Sequence, residues 1–459
     1  NNKTKSTSWM NTMARPSIAL SYAIRLSIAL YIIFSFFVIQ KAHINSPYDA
    51  AAELSKHKQK FIVDSRGGKN KKGGIIQQTQ QKQQPTTTSK ILSELHRPVS
   101  QIFNNPKLPD WVKTYAKWHA QQRQQYFNDM RANGTSNVRF LISRCLTHDK
   151  CGGASDRLQE IPYSIMLANQ TNRVLLVKWE KPARLENYLV VPKDEEEGGG
   201  IDWTVPDDMF PEGMDWHLRG KEDGEHKIVS TIRRDSAAPK FRQYQQEELG
   251  GNKIYHEIFR LLFAPSEALT ARIHSTMKSL QLTPKEFSSV HLRVKYPVRG
   301  IKENEFSFQK HKSQITSWAT NAVNCAAELH PNSTIYVSSD NNDTVGYLLE
   351  ESHFAQHYID ATEHKKHPLV VKLVARDYST ENEHVAFSQT TEVDGFMSVF
   401  EDLFIMGLGK CVAHGVGGYG RLAAALCGGE CVTAHRKHGG SLNMCSDALK
   451  DIQRKIDKR

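Results

Sequence analysis

Hydrophobic and polar positions divide the chain into one long apolar run, a polar stretch, and an extended alternation of short apolar segments. Residues 17–39, SIALSYAIRLSIALYIIFSFFVI, are long enough at 1.5 Å rise per residue to cross a hydrocarbon layer as one helix. Arg25 is the costly member, at about 2.5–3.5 kcal/mol for a mid-helix position, and its N-terminal placement lets it snorkel outward. From Lys41 the chain turns polar, through GGKNKKGG and QQTQQKQQPTTTS, with too few apolar residues to offset chain entropy. An amphipathic stretch from Trp111 to Phe127 leads into the rest.

Beyond it the period switches repeatedly between strand and helix. Residues 138–144 and 173–179 read as buried strands flanking a helical 157–170, which is a βαβ unit with a parallel sheet. A polar, glycine- and acid-rich insertion over 181–251 reads as surface loops, and 255–280 as helix. A second series follows: strand 288–294, helix 318–329, strand 333–339, a helix after Asn342, strand 371–376, helix 399–409, strand 410–415 and helix 421–428. The boundaries predicted are a cytoplasmic tail 1–16, a transmembrane anchor 17–40, a disordered stem 41–110, and two α/β domains, 111–280 and 281–459. Two such halves facing each other leave a cleft at the carboxyl ends of their strands.

Charge changes the picture in one respect. The formal net charge is +11, but residues 1–125 hold 19 Lys/Arg against 5 Asp/Glu, leaving 41 against 44 for the remainder. A globular part near neutrality lacks the broad cationic face that nucleic acid requires. Lys3, Lys5 and Arg15 precede the apolar run and Lys41 follows it, which favours a cytoplasmic N-terminus and a lumenal body in the Golgi or ER membrane; a cleaved signal peptide is the alternative. The cysteines fit an oxidising lumen: Cys145 and Cys151 flank a short loop, and Cys411, Cys427, Cys431 and Cys445 cluster, so pairing within each group is expected. Zinc at Cys427, Cys431, His435 and His438 is the weaker alternative. Sequons stand at Asn133, Asn169, Asn332 and Asn342.

Four fragments could carry chemistry. Gly152 and Gly153 precede a helix with Asp156 at its rim, where glycine lets backbone approach a ligand; helix capping is the structural alternative. His291 and Arg293 end a strand on one side of it, and an arginine fork there suits a diphosphate, or a plain salt bridge. Asp340 ends the next strand, with capping by Asn341 or Asn342 beside it. Asp402 lies in VFEDLFIMG, followed by a G-x-G-x-x-G at Gly415, Gly417 and Gly420. With no acidic partner at a following strand, a loop cradling a nucleotide diphosphate explains those glycines better than a redox cofactor.

Taken in order, GGASDRLQEIPYSIMLANQTNRVLLVKW, VHLRV, YVSSDN and VFEDLFIMGLGKCVAHGVGGYGRLAAAL resemble the fucosyltransferase superfamily of the GT-B fold, over residues 138–430. That resemblance implies two facing Rossmann-like domains and GDP-fucose as donor. It implies Arg293 on the β-phosphate, His291 lining the nucleotide pocket, Asp340 and Asp402 near the nucleotide sugar, and the turn Gly417, Gly418, Tyr419, Arg421 against the diphosphate. Gly417 and Gly418 stand where relatives often carry hydroxyl residues, so backbone N–H groups would replace those donors. The implied reaction is inverting transfer to a hydroxyl of a protein or glycan, with Asp156, Glu303 or Glu305 as base. No D-x-D triplet occurs and no metal is expected. A Golgi sulfotransferase would share anchor and stem but needs a phosphate-binding loop with a lysine or hydroxyl pair near the first helix, and CGGASDRL supplies no lysine. A non-catalytic carbohydrate-binding relative would keep the fold and lose the donor contacts.

Overall fold

The computed structural model describes residues 87–149, 151–193, 199–206, 209, 228–231, 254–295, 306–350, 371–378, 393–436, 441–443 and 445. All belong to one compact unit, Gln81–Arg459. The expected anchor at 17–40 and the stem as far as residue 86 lie outside the described residues. Among the described residues no helix is long and apolar enough to cross a membrane.

The C-terminal part of the expected stem is folded. Helices α1 (Thr87–Leu95) and α2 (Val99–Phe103) bury Ile91, Leu95, Val99 and Ile102, which recur at helical spacing. Composition registered the polar residues of this segment and missed its period. Helix α3 (Asp110–Asn133) then ends at left-handed Gly134, whose N–H caps the Met130 carbonyl. On its buried face, Tyr115 donates to the Arg173 carbonyl at 3.1 Å and accepts from Leu175 N–H at 3.0 Å, and His119 Nε2 meets the Leu175 carbonyl at 2.9 Å. Burial pushes the His119 pKa down to about 4.

The first sheet is parallel, in the order β2 (Val174–Trp179), β1 (Phe140–Cys145), β4 (Ile228–Thr231). The helical stretch expected over 157–170 is two helices, α4 (Ala154–Leu158) and α5 (Ile161–Gln170), because Pro162 lacks an N–H and opens the second. The insertion over 181–251 is not wholly surface loop. It supplies β4, and Trp203 is fully buried with Nε1 donating to the Leu262 carbonyl at 2.5 Å. Isolated apolar residues in a polar stretch give no period to read. Between the sheets, β3 (Leu189–Val190) pairs antiparallel with β5 (Ala264–Pro265), and helices α6 (Tyr255–Leu262) and α7 (Glu267–Ser279) join the halves.

The second sheet is also parallel, in the order β10 (Val432–Ala434), β9 (Cys411–His414), β6 (Ser288–Leu292), β7 (Ile335–Ser339), β8 (Leu373–Val374). Helices α8 (Phe308–Leu329), α9 (Asn342–Glu350), α10 (Val393–Leu408) and α11 (Gly418–Leu426) are its crossovers and cover. Strand β6 is central, and its register sets His291 beside Ser338 on one side and His414 on the other. Disulfides join Cys145 to Cys151 and Cys411 to Cys431, within the expected groups. Cys445 instead pairs with Cys325 on α8, and Cys427 is a free thiol; a partner inside a helix 120 residues away leaves no spacing signal.

The helices α1 and α2 are tied to the body through Glu257 on α6. This buried carboxylate accepts from Arg97 and from Asn105 Nδ2 at 2.8 Å, and faces His256 Nε2 at 2.8 Å. Breaking a buried ion pair costs about 3–5 kcal/mol, less where one partner is partly exposed as Arg97 is, so Glu257→Ala is expected to cost about 2 kcal/mol. A fragment starting at Asp110 is expected to unfold at lower urea than one starting at Gln81; equal midpoints would show that α1 and α2 contribute nothing.

Candidate functional site

Arg293 follows the last residue of the central strand β6, with its side chain 18 % exposed. It lies against the turn that opens α11: a methyl group built on Gly417 would stand 3.0 Å from both Arg293 Cδ and Nη1. Gly417 has φ +98°, a conformation that L side chains rarely adopt, and a side chain there would also press on Arg293. A methyl at Gly418 would meet Ser155 Oγ at 2.7 Å, and one at Gly420 would meet His291 Nδ1 at 2.7 Å and His414 Cβ at 2.8 Å. The turn is therefore packed by β6, by β9 and by α4 of the first half. Gln159 Nε2 donates to the Gly418 carbonyl at 2.7 Å, which joins the two halves at this point.

Behind Arg293 stands Arg436, two residues past β10. Its Nη2 donates to the Arg293 carbonyl at 2.5 Å and its guanidinium stacks 3.8 Å from the Trp318 ring centroid on α8. Burial lowers its pKa to about 10, opposed by Asp340, so it stays charged at neutral pH. Asn321, also on α8, holds the same segment by donating to the carbonyls of His435 at 2.7 Å and Asn443 at 3.0 Å. Asp340 accepts from Val294 N–H at 2.7 Å and sits 3.9 Å from Arg293 Nε, fixing the chain as it leaves β6. Burial raises its pKa, against the pull of the Val294 N–H and of Arg293.

His291 is buried rather than open to a cleft. It packs under Gly420 and beside Tyr419, ring centroids 5.1 Å apart. Burial first, then Arg293, His435 and His414, hold its pKa well below the usual histidine value, so it is neutral. His435 Nε2 meets the His291 carbonyl at 3.1 Å, and burial pushes its pKa to about 3. Cys431, the zinc-type neighbour of the sequence reading, is in its disulfide, and His438 lies outside the described residues.

The other expected site residues divide into three groups. On the first-half loop, Gly152 takes φ +75° and its carbonyl accepts Arg157 Nε at 3.1 Å and Nη2 at 2.9 Å, while Gly153 N–H donates to Asp156 Oδ2 at 2.9 Å. That is the capping alternative for Asp156. In the second half, Asp402 is buried and accepts from Tyr336 Oη and Ser338 Oγ (3.0 Å), with Arg376 Nε at 3.2 Å; it borders a very small pocket with Ser339, Asn342 and Tyr378. Tyr419 donates to the Val399 carbonyl, and exposed Arg421 reaches back to the Gly417 carbonyl at 3.0 Å. Glu303 and Glu305 lie outside the described residues.

Arg376, Arg436 and Trp318 were not singled out from the sequence. Each arginine stands two residues past a short strand, close to where Arg293 stands after β6, and that position was the available signal.

Neither a family model nor a curated protein matches this chain. Among solved structures it is similar to an arginine-to-lysine variant of FUT1 from Arabidopsis thaliana in complex with GDP, at 14 % identity and TM-score 0.45, over 72 % of this chain and 80 % of that one. It is also similar to the fucosyltransferase NodZ from Bradyrhizobium, at 11 % identity and TM-score 0.37, over 63 % and 92 %. A NodZ α-1,6-fucosyltransferase structure with GDP gives 11 % and 0.36 over the same shares.

Two outcomes follow from this packing. Gly418→Ala is expected to lose about 1–3 kcal/mol from its clash with Ser155 Oγ, and Ser155→Ala in the same chain should recover most of it; additive losses in a double-mutant unfolding cycle would place the clash elsewhere. His435 and His119 have folded pKa values below the unfolded value of about 6.5, so the unfolded chain binds more protons in acid. Stability is therefore complete above pH about 6.5 and falls toward pH about 4, at about 1.4 kcal/mol per pH unit for each histidine. His435→Gln should flatten that acid slope by one proton in urea titrations at several pH values.

Proposed function

We propose that this chain is an inverting glycosyltransferase that moves fucose from GDP-fucose to a hydroxyl of a protein or glycan, with its catalytic body in the Golgi or ER lumen behind an N-terminal membrane anchor. The observation that carries the reading is the contact of Arg293 with the Gly417 turn. A two-pronged cation beside the N-terminus of a nine-residue helix brings fixed positive charge close to the positive end of the helix dipole. A diphosphate is the anion that such a pair fits, and the ordered motifs resembling fucosyltransferases supply the donor's identity.

In the reaction, the acceptor oxygen attacks the sugar's anomeric carbon as the bond to the β-phosphate oxygen breaks. The bond's electron pair passes to the diphosphate, where Arg293 and the turn stabilise the growing charge, and the acceptor proton passes to a carboxylate. Asp156, Glu303 and Glu305 are the bases considered. No metal is assigned to the diphosphate.

Arg293→Ala is expected to lower GDP-fucose turnover about 10²–10³-fold and to weaken GDP binding, with Arg293→Lys also impaired. A screen of nucleotide release from GDP-fucose, GDP-mannose and UDP-sugars checks the donor, and binding of adenosine 3′,5′-bisphosphate in place of GDP would favour sulfotransfer. Chelation should leave turnover intact. Asp156→Asn, whose amide oxygen can still accept from Gly153 N–H, should keep GDP binding and lose transfer if Asp156 is the base; full activity would move that role to Glu303 or Glu305.

A further inference from the structure

The sequons flagged in the sequence fall at opposite ends of the sheets. Asn133 is the last residue of α3 and precedes β1, while Asn332 lies in the turn between α8 and β7. Both therefore sit at the amino-terminal ends of strands, away from Arg293, and both are exposed. The backbone conformations suit an attached group. Gly134, next to Asn133, takes φ +65°, and a methyl built on it would meet nothing within 4 Å, so the surroundings are open. Asn332 takes φ +61°, a left-handed conformation that asparagine tolerates and that belongs to a tight exposed turn.

Asn342 differs on each point. It opens α9 at the carboxyl end of β7, and its Nδ2, the atom a glycan would be joined to, donates to the Tyr378 carbonyl. Its sequon threonine, Thr344, is fully buried, with Oγ1 donating to Asn341 Oδ1 at 2.8 Å and N–H to the same oxygen at 2.9 Å. A sugar on Asn342 would have to break the bond that Nδ2 makes to the Tyr378 carbonyl. Half-buried Asn169, whose Thr171 hydroxyl is bonded to the Leu167 carbonyl at 2.7 Å, is not among the sites assigned.

We infer that Asn133 and Asn332 carry N-linked glycans and that Asn342 does not. The inference rests on the lumenal placement in the proposed function, to which three disulfides lend independent support. The bond formed joins the asparagine Nδ2 to the anomeric carbon of a lipid-linked oligosaccharide, the lipid diphosphate leaves with the electron pair, and the amide proton is lost to the transferase.

The test expresses the full chain in eukaryotic cells and compares mobility before and after peptide:N-glycosidase F, with protease protection of intact microsomes as the topology readout. Asn133→Gln and Asn332→Gln should each remove one glycan step, Asn342→Gln should remove none, and deamidation mapped by mass spectrometry should mark residues 133 and 332. A microsome-protected body lacking glycans at both positions, or a glycan at Asn342 in folded, secreted-form protein, would overturn the inference while leaving the lumenal reading intact. A body exposed to protease on intact microsomes would overturn both.

Discussion

The closeness of Arg293 to the Gly417 turn is the constraint from which the surrounding architecture follows. At positions 417, 418 and 420 the space that a Cβ would fill is taken by Arg293, by Ser155 and by His291. Side chains from the end of β6 and from the start of α4 thus converge on these three glycine positions. Because interiors are close-packed and respond to even one added methylene, such convergence fixes the turn to within a few tenths of an ångström.

What holds Arg293 in place is backbone anchoring more than ion pairing. Its carbonyl is gripped by Arg436, its successor's N–H by Asp340, and its predecessor strand by pairing on both sides. Arg436 in turn rests on Trp318, and the segment that bears it is pinned by Asn321 and the Cys325–Cys445 disulfide, both on α8. The histidines that crowd this layer are neutral through burial, so the cationic character comes from guanidinium groups whose charge persists at neutral pH. A charged imidazole in the same place would repel Arg293 and loosen the strand end.

The sequence was legible where period and punctuation agreed. Alternating apolar runs marked β1, β2, β6, β7 and β9, and the glycines of GVGGYG marked the turn before α11. It was illegible where one residue acts through a distant contact. Trp203 and β4 lie inside a polar insertion, Cys325 sits mid-helix, and the face of Ile91, Leu95, Val99 and Ile102 is embedded in polar residues. At the site, alternation placed His291 beside Arg293 on one side of a strand. It could not reveal that a neighbouring helix start covers the histidine and leaves the arginine partly exposed.

The glycines at 417 and 418 acquire a physical reason from this packing. A hydroxyl-bearing side chain there would offer a further donor to an anion, yet any Cβ at 418 stands 2.7 Å from Ser155 Oγ, and the φ of +98° at 417 disfavours every L side chain. The hydroxyl is present, but it comes from the first half, on Ser155 at the start of α4, directly over the turn. The turn's backbone and the Ser155 side chain are thus packed together from the two sheet regions. Gln159, one turn further along and bonded to the Gly418 carbonyl, ties α4 to the start of α11, so the placement of α4 and the shape of the turn are one structural variable.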